Sequence, residues 1–127
     1  QEGTFTLSTL SSMNISLNIY GKSDQFHLSD SSSLELISRT LPDLVDQAMS
    51  EHQYPDGFCL FTGTAFSPSL DRGGVGMGFT HESGDVVVIE NEHIGRLVNT
   101  VKLSKECKPW SFGTFELMKN LSKRKLL

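Results

Sequence analysis

Two cysteines, Cys59 and Cys107, are all that 127 residues contain. They are too few and too far apart for a disulfide framework or a zinc site. No run of about 18 apolar residues occurs, which excludes a membrane-spanning helix. An excess of positive charge is missing too: eleven Lys and Arg stand against fifteen Asp and Glu, a formal charge of -4. A phosphate-binding surface shows as a basic excess, so nucleic acid is not expected as a partner. The opening Gln1-Glu2-Gly3-Thr4 has neither the basic start nor the apolar stretch of a secretory signal. There is no Gly-x-Ser-x-Gly elbow, so a serine-hydrolase triad has little support. No internal repeat is present. The expectation is one cytoplasmic domain over residues 1–127 without a membrane or nucleic-acid partner. The first residue is not methionine, which is read as a removed initiator or a piece of a longer chain.

What is present is the patterning of a globular domain, 37% hydrophobic and 20% charged. Ile15, Leu17 and Ile19 alternate with Ser16, Asn18 and Tyr20, a half-buried strand. Gly21-Lys22-Ser23-Asp24 then turns the chain, and Phe26 and Leu28 alternate in their turn, so a hairpin is predicted. Thr4 to Leu10 alternates weakly and reads as an edge strand. Asp30 to Ser33 reads as a polar loop, with Ser33 capping a short helical turn. Thr40 precedes Leu41-Pro42-Asp43, a hydroxyl cap with an early proline and an acidic first turn. Leu41, Leu44, Val45, Ala48 and Met49 follow at helical spacing. Phe58 to Phe61 is short and continuously apolar, hence a strand buried on both faces, with Cys59 an inert core thiol. Ala65 to Gly78 is a long loop; Val86 to Ile89 and Leu97 to Val101 are strands; Phe112 to Leu121 is a helical tail.

Four groups could carry chemistry. Glu90-Asn91-Glu92 with His93 has the donors for a divalent ion. It falls where a strand runs into a turn, and a solvated turn is the favoured reading. Gly73, Gly74, Gly76 and Gly78 lack the helix start that a phosphate loop needs, so a substrate loop is favoured over a nucleotide site. Cys107 lies between Lys105 and Lys108, and is read as an ordinary loop cysteine. Thr62-Gly63-Thr64 offers two hydroxyls and backbone N–H groups around a glycine that permits close approach. That suits a carboxylate or another oxygen-rich ligand, and equally a turn held by threonine hydroxyls.

From Ser31 onward, roughly three quarters of the sequence, the chain resembles the C-terminal part of fumarylacetoacetate hydrolase family proteins, in the branch that degrades sugar acids. The resemblance is carried in order by Ile37-Ser38-Arg39, by His52-Gln53-Tyr54-Pro55-Asp56-Gly57-Phe58 and by Leu60-Phe61-Thr62-Gly63-Thr64. Phe66-Ser67-Pro68, Gly76-Met77-Gly78-Phe79-Thr80-His81, Gly84-Asp85-Val86-Val87, Ile94-Gly95-Arg96-Leu97-Val98-Asn99 and Pro109-Trp110-Ser111-Phe112-Gly113 continue it. It implies an α+β fold: a strand-rich mixed β-roll with one amphipathic helix and a helical tail. It also implies a homodimer, and action on 2-oxo (3-deoxy sugar) acids or 1,3-dioxo acids. In such proteins Mg2+ or Mn2+ chelates the substrate and stabilises an enolate. Thr64, with Gly63 supplying approach room, matches the position that contacts the substrate carboxylate.

The family's metal ligands, a Glu-x-Glu pair and a later Asp, lie upstream of its Thr-Gly-Thr, and nothing between Gln1 and Phe61 fits them. Its upstream catalytic positions are missing as well. The chain is therefore expected to supply substrate contacts, with neither metal ligands nor catalytic residues of its own. A non-catalytic binding or dimerisation module with the same fold is the alternative.

Overall fold

The computed structural model describes residues 6–22, 26–65 and 67–127. Alternating side chains build one antiparallel sheet from β1 (Asn14–Tyr20), β2 (His27–Ser33), β3 (Val86–Asn91) and β4 (Gly95–Thr100), in the order β2-β1-β3-β4. β1 is central, and its period-2 pattern sets the register. Ile19 stands opposite Leu28 on one side and Val87 on the other. Leu17, Ile19 and Leu28 form the buried cluster, with Phe26, Phe79 and Val87 packed against it. Ile15, expected on the same face, is only half-buried.

Both hairpins form as the sequence predicts. The first is closed by the Gly21 N–H donating to the Phe26 carbonyl at 2.7 Å; Ser23, Asp24 and Gln25 of its turn lie outside the described residues. β2 continues through Asp30–Ser33, where a loop was expected, because Asn14 to Leu17 provide a ladder for it. Its serines and aspartate lie on an edge strand, where polar side chains discourage further pairing.

The helices follow their caps. Thr40 Oγ1 accepts from the Asp43 N–H at 3.2 Å and starts α2 (Leu41–Met49). Ser33 caps a 3-10 turn over Leu34–Leu36. α1 (Leu7–Ser11) takes the place of the expected edge strand: Thr6 Oγ1 accepts from the Thr9 N–H, a local bond that favours a helical turn. Thr4 and Phe5 lie outside the described residues. α3 (Thr114–Lys123) is the expected tail, starting two residues later. Among the described residues, no helix is long and apolar enough to cross a membrane. Among the described residues the class is α+β, with three α-helices and a sheet that is antiparallel throughout rather than mixed.

One expected strand is absent from this sheet. Phe58–Phe61 joins none of its ladders, Phe61 is 92% exposed, and Cys59 is exposed rather than in a core. A continuous apolar run forms a buried strand only when neighbours complete its hydrogen bonds, and no described strand pairs with it.

Candidate functional site

Thr62-Gly63-Thr64 is reached from α2 through the Pro55-Asp56-Gly57 turn, where the Gly57 N–H donates to the Tyr54 carbonyl at 2.9 Å. The Tyr54 and Phe58 rings then pack at 4.7 Å. Gly63 has φ +87, a left-handed conformation that favours glycine, and open space where a side chain would stand. Both threonines are exposed. Thr62 and Leu60 line an apolar groove of about 510 Å³ against Leu7 and Leu10 of α1, Leu34, and Leu41 and Val45 of α2. Gly63 and Thr64 follow directly in the chain but are not part of its wall. Of the two expected contact residues, neither lines the cavity; the residue that does, Thr62, is their neighbour. The three are not at the end of a strand of this sheet, because residues 58–61 belong to none of its ladders.

The glycine-rich loop is organised from within. The Asp71 carboxylate accepts the Gly76 N–H at 2.7 Å and the Gly78 N–H at 2.8 Å. These two bonds hold its carboxyl below the usual carboxylate range. The Arg72 N–H donates to the Gly78 carbonyl at 2.9 Å and closes the loop. Amides aimed at an internal carboxylate are not free to bind a phosphate, which physically supports the choice against a nucleotide loop.

The same closure turns Arg72 inward, a feature that sequence reasoning missed. Its guanidinium meets the Asp85 carboxylate through two bonds of 2.6 and 3.1 Å, both side chains nearly inaccessible. It also lies 4.5 Å over the Phe26 ring and 3.4 Å from Glu82. Asp85 accepts the Glu82 N–H at 2.9 Å, and His81 Nδ1 stands 3.7 Å away. The hydrogen bond from Arg72 keeps the Asp85 carboxyl below its ordinary value, against the opposing effect of burial. Planar two-point pairing explains why arginine rather than lysine fills this place. The pair bolts the loop to the start of β3. The only sequence signal was an arginine inside a glycine-rich stretch and an aspartate in a Gly-Asp turn.

Glu90 and Asn91 end β3, and Glu92 opens the turn that leads through Ile94 to β4. Asn91 organises it from a buried position: its Oδ1 accepts the His93 and Ile94 N–H groups at 2.8 and 3.2 Å, and its Nδ2 donates to the Asn14 carbonyl at 2.6 Å. The Glu92 side chain is 83% exposed, with His93 Nε2 3.3 Å from it. Glu90 stands opposite Arg96. Among the described residues, no three His, Cys, Asp or Glu side chains gather closely enough to hold an ion. His52 is exposed beside Tyr54, and Cys107 is exposed with its Sγ 3.5 Å from the Leu103 carbonyl.

Comparison with protein-family models, curated proteins and solved structures finds no match.

Proposed function

We propose that this chain supplies substrate-carboxylate contacts to a metal-dependent lyase or hydrolase acting on 2-oxo (3-deoxy sugar) acids or 1,3-dioxo acids. The ordered motifs from Ile37 to Gly113 support the reading, and with it a β-roll for the complete domain. The observation that carries it is Gly63: a left-handed backbone with open space above it, between two exposed threonines beside a groove. A backbone so shaped lets a small anion come close, and the Thr64 hydroxyl donates to its carboxylate. In the complete enzyme, a Mg2+ or Mn2+ ion held outside these residues would supply the Lewis-acid chemistry. Its ligands are assigned to polypeptide outside these residues, and this chain's part is to bind and orient the acid.

Calorimetric titration with oxalate, which mimics the chelating end of such substrates, tests this. Weak, metal-independent binding is expected. Thr64→Val removes the hydroxyl at nearly constant volume and should weaken it about 10- to 150-fold, the equivalent of one hydrogen bond to a charged group. Equal affinity of the variant and the parent would make Thr64 structural. Tight binding that requires Mg2+ would contradict the placement of the ligands elsewhere. The second reading, a binding or dimerisation module, is favoured by the extent of exposed apolar side chain, Phe61, Trp110 and Phe115 among them.

A further inference from the structure

At one end of the sheet β1 and β4 finish and β3 begins: Tyr20 stands opposite Val86, and Val86 opposite Thr100. Two residues beyond that row lie Lys22, Gly84 and Lys102, one on each of the three segments. Antiparallel pairing therefore gathers residues that are far apart in the chain. These three, with Ser83, Thr100 and Glu106, line a groove of about 430 Å³. It shares no residue with the groove at Thr62.

Gly84 makes the groove. Its φ is +102, and a Cβ built there would stand 2.5 Å from the Lys22 Cδ. The aliphatic stem of Lys22 thus lies across Gly84, in the space any larger residue would fill. The backbone beneath is fixed on three sides. The Gly84 N–H donates to the Val101 carbonyl at 2.8 Å, and the Val101 N–H to the Asp85 carbonyl at 2.9 Å. Asp85 is itself held by Arg72, and the Gly21 N–H that precedes Lys22 is bonded to Phe26.

The local charge runs against that of the whole chain, which is -4. From Lys102 to Lys108, Lys102, Lys105 and Lys108 stand against Glu106 alone, a net +2, and Lys22 adds to it from β1. Among the described residues no ion pair engages Lys22, Lys102 or Glu106. Two ammonium groups without a counter-charge, beside the Thr100 and Ser83 hydroxyls, offer donors to an anion.

We propose that this groove binds the phosphate of a small, hydroxyl-bearing phosphate monoester, with Lys22 and Lys102 as its two cations. The volume is that of a small-molecule site. Such a phosphate carries close to two negative charges and three strong acceptor oxygens, which matches two lysines and two hydroxyls. A monocarboxylate would satisfy one lysine only. Lysine meets phosphate as a point charge and needs no planar two-point geometry, so its flexible stem is no obstacle. The Glu106 carboxylate only accepts, and takes a hydroxyl of the ligand's body. The site stands independently of the function proposed above.

Titration of the full chain with inorganic phosphate at constant ionic strength, followed by amide chemical shifts, tests this. Saturable shifts are expected at Ser83, Gly84 and Lys102. Lys22→Met and Lys102→Met, both at exposed positions, should each weaken binding about threefold, the size of an exposed charge pair, with unchanged circular dichroism. Lys123→Met removes the same charge from α3 and should leave the affinity as it is. Glu106→Gln should tighten inorganic phosphate, because it removes a like charge, and should lose that gain with glycerol 3-phosphate. Shifts that do not saturate, or equal weakening by Lys22→Met and Lys123→Met, would overturn the proposal. Binding to phosphatidic acid vesicles, lost in Lys22→Met, without binding of glycerol 3-phosphate would overturn the choice of a soluble ester. Thr64→Val should leave phosphate binding unchanged, so failure here and failure of the oxo-acid reading are told apart.

Discussion

Removing one partner of the Arg72–Asp85 pair should destabilise the fold more than any surface change. Arg72→Met leaves the Asp85 carboxylate buried, with only the Glu82 N–H and the more distant His81 near it. Breaking a buried ion pair from one side typically costs about 3–5 kcal/mol. The Glu82 N–H stays bonded to the carboxylate, so the lower end, about 3 kcal/mol, is expected. The loss should come with release of the 71–78 loop, because Arg72 is its hinge. Urea unfolding followed by circular dichroism measures the cost, and amide exchange at Gly76 and Gly78 reports the loop. The pair also imposes an acid limit. Asp85 has a lowered pKa in the folded state, so its contribution is complete above the unfolded value of 3.8 and is lost as pH falls through the lower folded value. Arg72→Met should flatten the dependence of stability on pH in that window. The double variant Arg72→Met with Asp85→Leu should recover most of the loss, since it leaves no buried charge without a partner and Glu82 is exposed. A cost for Arg72→Met below about 0.5 kcal/mol, within the range of neutral surface substitutions, would refute the reasoning.

Two other substitutions follow from the hydrogen bonds. Thr40→Ala removes the acceptor for the Asp43 N–H and should cost about 1 kcal/mol, read as a lower urea midpoint at an unchanged slope. Asn91→Ala strips the β3–β4 turn of two bonds and removes a third, to the Asn14 carbonyl; a loss of about 1–3 kcal/mol is expected, with exchange accelerated at His93 and Ile94.

Local patterns were legible where the physics is local. Alternation in Ile15–Ile19 marks β1, because side chains on a strand change face at every residue. Thr40, Pro42 and the spacing from Leu41 to Met49 mark α2, because a cap and an apolar stripe act within a few turns. Thr62-Gly63-Thr64 was legible as an unusual group, and Gly63 does take the conformation that favours glycine.

The tertiary structure decided what depends on distant partners. Phe58–Phe61 has every local property of a buried strand, yet a strand exists only beside another backbone, and the described sheet ends at β2 and β4 without it. Asp30–Ser33 has little strand propensity and is a strand because Asn14–Leu17 lie opposite. Arg72 and Asp85 are 13 residues apart, with nothing between them that announces a meeting. They meet because Asp71 gathers the Gly76 and Gly78 amides and folds the loop back on itself, turning a flexible stretch into a clasp.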